Sequence, residues 1–249
     1  MSIPMRSLPA ICLAVIVELG CFASAAFPED RLQVYGLTLD DTRLGDGFCE
    51  AKDATGFTPY RCLHSKQSLP RITNMDVQTT PTPYVILSLE PDADGRNRDV
   101  RIWYSRRELG GQSYMITTAK HSPLGLAGAR DGVLSAFGAP TVEFSHADME
   151  ARGIYVADLT IDTLIYVDRD LPAAQWNQMA YRLRTDFNPT GPELFSLTNS
   201  TLRTLGRLLG RDFRGAIVQI AESSFGHQST VTTMLLDLRR AQSTFQVGG

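Results

Sequence analysis

Residues 123–144 read PLGLAGARDGVLSAFGAPTVEF, and residues 153–168 read GIYVADLTIDTLIYVD. Leu126, Ala129, Val133, Leu134 and Phe137 recur at the spacing of one helical face. Gly138 suits the left-handed conformation that ends a helix, and Pro140 cannot continue one. Short β-branched runs follow at Gly153–Leu159 and Thr163–Asp168, with Ile154, Val156, Ile165 and Val167 as strand residues and Thr160-Ile-Asp162 as a tight connection. The reading is one amphipathic helix, a Gly-Ala-Pro stop and two strands. It predicts an α+β fold in which an antiparallel sheet packs against a few helices.

The 249 residues are enough for one large domain or two small ones. Hydrophobic residues make up 43% and charged residues 20%, which fits a folded globular chain rather than a disordered one. A formal net charge of −3 argues against a general nucleic-acid binder. The domain reading is a signal over 1–25, a β-rich half over 26–120 and an α+β half over 121–249, the two halves being separate or continuous.

The N-terminus has the layout of a secretory signal. Arg6 supplies a positive start, Leu8–Val17 a short apolar run, and Ala23-Ser-Ala25 a small-x-small cleavage site. The apolar run is shorter than the ~20 residues a membrane-crossing helix needs. The expected location is periplasmic or secreted, with no transmembrane segment after removal of the signal. Cys21 follows Gly20 as a lipid-anchor cysteine would, but Glu18 stands where such signals carry an aliphatic residue. Cleavage would leave Cys49 and Cys62, and an oxidising compartment favours a disulfide between them. No CxxC is present, and His64 alone does not complete a tetrahedral metal site.

Before the central unit, Arg31–Gly36, Tyr60–His64 and Arg71–Val77 are candidate strands, and Thr38 or Asp40 is a candidate cap for a short helix. Tyr84–Leu89 and Val100–Tyr104 make a hairpin around an Asp-rich loop. That loop lacks the closing Glu of an EF-hand. Gln112–Ala119 is a further strand. After the central unit, Trp176, Met179, Ala180 and Leu183 mark one helix, and Leu202, Leu205 and Leu209 a second that starts near Thr198–Ser200. Ala216–Ala221 and Val231–Leu238 read as paired strands followed by a polar tail.

Gly36-Leu-Thr-Leu-Asp40 and Gly125-Leu-Ala-Gly-Ala129 hint at two divergent copies of a helix-plus-strands unit, the second ending its helix in Ala136-Phe-Gly-Ala-Pro140. This resembles the G-x-T … L-G-x-P pattern of SmpA/OmlA (BamE-like) envelope proteins and of β-lactamase-inhibitor-like folds. Phe137 stands where that pattern has Leu, and the lipobox is missing. The resemblance implies a binding surface built on α-plus-three-strand units, and no enzymatic activity.

Three functions follow as expectations. The first is an exported, non-catalytic module that binds another envelope protein, without cofactor or metal. Arg203, Arg207 and Arg211, spaced at i, i+4 and i+8, form its candidate contact row. The second is a small-ligand-binding or sensor protein. The third is a serine hydrolase using the Ser224/His227 loop, with Ser223, Ser229 and Asp237 nearby in sequence, although no nucleophile-elbow motif surrounds either serine. His64, His121, His146 and His227 show no metal-ligand spacing.

Overall fold

The computed structural model describes residues 32–39, 43–44, 63–64, 72–78, 84–91, 98–105, 111–153, 158–168, 173–186, 199–226 and 228–246. The signal, Cys49, Cys62, His227 and the Asp-rich loop at 92–97 lie outside them.

Alternation sets the first strands. In β4 (Tyr84–Leu89), Val85, Leu87 and Leu89 are buried while Tyr84, Ile86 and Ser88 are half-buried. In β5 (Arg98–Tyr104), Val100, Ile102 and Tyr104 are buried. With β3 (Ile72–Gln78) and β6 (Ser113–Ser122) they form a four-strand meander. A short pair, β1 (Arg43–Leu44) and β2 (Leu63–His64), stands apart from it.

A second meander is built from β7 (Val142–Phe144), β8 (Leu159–Val167), β9 (Arg214–Ser223) and β10 (Ser229–Asp237). The last strand of each meander pairs with the other, giving one eight-stranded antiparallel sheet in the order β3-β4-β5-β6-β10-β9-β8-β7. The expected division at residue 120 therefore falls inside β6, whose Lys120 pairs with Val231.

Helix α1 (Leu126–Phe137) carries the chain from β6 to β7 across β10, β9 and β8. Ala129, Val133 and Phe137 are buried, and Leu126 and Leu134 pack beside them, so the predicted face is the observed one. Gly138 ends the helix at φ 81°, and its N–H donates to the Leu134 carbonyl. Residues 32–39 cover the same face of the sheet through Val34, Leu37 and Leu39. The other face is covered by α3 (Ala173–Asp186), α4 (Asn199–Leu209) and α5 (Leu238–Gln246). A register irregularity in β6 turns Tyr114 and its neighbour Met115 both toward this second core.

Three expectations are corrected. Thr160-Ile161-Asp162 is not a turn: β8 runs through it, and the three residues pair with Glu222, Ala221 and Ile220. Asp162 is buried in the strand because its carboxylate accepts the His146 N–H at 3.0 Å, at the start of α2 (His146–Ala151). The strand that pairs with β8 on its outer side is β7, while the expected strand residues Ile154 and Val156 lie outside the described residues. The first copy of the proposed repeat has no helix in its described residues. Tyr35 (φ 52°) and Gly36 (φ 81°) form a tight two-residue turn between Val34 and Leu37, and Arg43–Leu44 is a strand. The polar tail is in fact α5, whose Leu238, Ala241 and Thr244 are buried.

Candidate anion-binding groove

Helix α4 is amphipathic by spacing. Leu202, Leu205, Leu208 and Leu209 are buried against the sheet and neighbouring helices, while Arg203 and Arg207 are exposed. Gly210 stops the helix at φ 89°. The helix ends at Leu209, so Arg211 lies just past it. The turn nevertheless keeps Arg211 beside the same groove as the other two.

The second wall is α5. Asp237 opens that helix by accepting the Arg240 N–H at 2.9 Å. Phe245 packs edge-on against Tyr114, with ring centroids 6.4 Å apart at 74°. Gly206 brings α4 and α5 together, since a Cβ there would lie 2.6 Å from the Gln242 amide nitrogen. Between the helices is a groove of about 620 Å³ lined by Arg203, Arg207, Arg211, Gln242, Phe245, Leu202 and Gly206. Among the described residues that line it, none is acidic. Arg182 of α3 donates to the Arg207 carbonyl at 3.0 Å, placing a fourth guanidinium near the end of α4. Arg207 also meets the negative end of the helix dipole, so part of its role is to stabilise that last turn.

Sequence spacing picked out the three arginines but not Gln242 or Phe245. The signal was available: Leu238, Ala241 and Phe245 fall at i, i+3 and i+7.

Two other polar clusters are structural ties. Arg130 of α1 holds Glu143 of β7 through contacts of 2.7, 2.9 and 3.0 Å, which clamps the helix to the sheet edge. Next to it, burial pushes the Asp162 carboxyl above its usual range, against the pull of the His146 N–H. Burial and the Glu143 charge push the Tyr166 hydroxyl up to about 12, and that hydroxyl donates to the Gly138 carbonyl at 3.3 Å. Just past the end of β8, Arg214 bridges Asp168 at 2.6 Å and, at the end of β10, Asp237 at 3.7 Å.

That last cluster bears on the hydrolase reading. Ser229 pairs with Glu222 at one end of β10, and Asp237 pairs with Arg214 at the other. At the rise of an extended strand the two ends are roughly 26 Å apart. Asp237 therefore does not share a site with Ser223, Ser224 or Ser229, and its carboxylate is engaged by Arg214 and Arg240. Among the described residues, no group of His, Cys, Asp and Glu is arranged to hold a metal ion. No described helix is long and apolar enough to cross a membrane.

The fold and the groove define an α+β protein with an eight-stranded antiparallel sheet and an arginine-lined cleft between two of its helices. Comparison with protein-family models, curated proteins and solved structures finds no match for the chain.

Proposed function

We propose that the protein is an exported, non-catalytic binding module that takes an anionic partner, another envelope protein, in the α4–α5 groove. The observation that carries this reading is that Arg203, Arg207 and Arg211 line one recess whose described lining residues include no acidic one. Guanidinium groups offer fixed forks of donors that suit carboxylates and phosphates. The secretory layout of residues 1–25 supports export. A second reading, a small anionic ligand, is favoured by the groove volume of about 620 Å³, which is of the size small-molecule sites have.

The test is capture from envelope extract by a tagged mature chain, wild type against R203Q/R207Q/R211Q. The expected result is a partner retained at low salt, released as salt rises, and lost with the triple variant. Equal capture by both proteins overturns the assignment of the groove. Esterase or amidase activity that disappears in His227→Ala overturns the non-catalytic reading.

A further inference from the structure

The geometry points to a specific ligand class for the groove: we propose that it binds an acidic peptide segment in extended conformation, with carboxylates at every second residue. The inference rests on the reading of the groove as an anion site and adds the form of the anion.

Arg203 and Arg207 are four residues apart on α4. At the helical rise per residue their Cα atoms are separated by about 6 Å along the axis. Side chains on one side of an extended strand repeat every two residues, about 6.7 Å apart. The two repeats agree to within about an ångström, so successive same-side carboxylates meet successive guanidiniums. Arg211, past the helix end, also lines the groove and offers a third guanidinium.

The rest of the lining fits a peptide. The Gln242 carboxamide both donates and accepts, as a peptide backbone does. The half-buried Phe245 gives apolar surface for a side chain lying between the acidic ones. The missing side chain at Gly206 leaves room for Gln242, so α4 and α5 pack closely and the recess is shaped by packed helices. A flat anionic membrane surface fits a projecting basic face better than a recess.

The test uses fluorescence polarisation of the purified mature chain with three labelled nonapeptides. One has Glu at alternate positions among Leu and Ser. The second has the same composition with its Glu residues in one block. The third replaces every Glu by Gln. The alternating peptide should bind about tenfold more tightly than the block peptide, and R203Q/R207Q/R211Q should lose at least about tenfold. Arg207→Lys keeps the charge and loses the fork, and it should fall between wild type and the triple variant. Circular dichroism confirms that each variant is folded. If alternating and block peptides bind equally and both need the arginines, the extended register is overturned while the anion groove stands. If neither peptide's binding depends on the arginines, both readings fall. Arginine-dependent binding to vesicles containing phosphatidylglycerol, without peptide binding, overturns the proposal in favour of a lipid surface.

Discussion

Gly215 of β9 lies so close beneath the carbonyl oxygen of Tyr166 on β8 that a Cβ at position 215 would fall on that oxygen. The same Cβ would sit 2.9 Å from the tip of the Phe213 ring. A ring edge can turn away, but the Tyr166 carbonyl is part of a sheet of paired strands and cannot move alone. Gly215→Ala should therefore cost about 3 kcal/mol or more in denaturant unfolding. Gly206→Ala makes a useful contrast. Its Cβ would crowd the far end of the Gln242 side chain, at 2.6 Å, and make an ordinary contact with Leu238 at 3.8 Å, and Ala is the better helix former. Its stability should stay within about 1 kcal/mol of wild type. Comparable losses for both variants would refute this assignment of their surroundings.

Phe137 closes the buried face of α1, with its ring centroid 5.3 Å from that of Tyr166. Phe137→Ala should destabilise the fold by about 3–5 kcal/mol, the usual cost of emptying a large aromatic core site. Ser135 is exposed on the opposite side. Ser135→Ala should shift the melting temperature very little. Similar shifts for the two would mean that the helix buries a different face.

Asp162 gives a pH signature. Burial holds its carboxyl above the usual value, so the folded chain binds that proton more tightly than the unfolded chain does. The associated stability is fully present below the unfolded pKa, about 3.9, and is lost as pH rises through the higher folded value. Asp162→Asn keeps an oxygen to accept the His146 N–H and never ionises. The variant should melt at or above wild type at pH 7, and the difference should shrink as pH falls toward 4. A variant that is less stable than wild type at pH 7 and equal to it at pH 4 would show that the ionised carboxylate is the stabilising form.

Under the proposed export, Cys49 and Cys62 should be joined. Closing a loop of that length contributes roughly 3 kcal/mol in the chain-entropy account. Thiol titration of the unfolded, unreduced mature chain should detect no free thiol, and its intact mass should begin at Ala26 or Phe27. Two free thiols, or a mass that retains residues 1–25, would argue against export.

Local periodicity made much of this protein readable from its sequence. The face of α1, its stop at Gly138, the alternation of β4 and β5, and the leucine stripe of α4 are each written within a dozen residues, because a helix or strand buries one side of itself. The same local signal identified Arg203 and Arg207 as exposed neighbours. The tertiary structure decided the rest. Strand edges carry the same backbone donors and acceptors whatever the sequence, so nothing local in β6 says that it pairs with β10 more than a hundred residues later. Asp162 resembled a turn residue because its burial depends on an N–H supplied by α2, sixteen residues away in sequence. The groove is likewise non-local: Arg211 lies past a helix end, Gln242 and Phe245 lie on another helix, and only the packing of α5 against α4 across Gly206 brings them to one place.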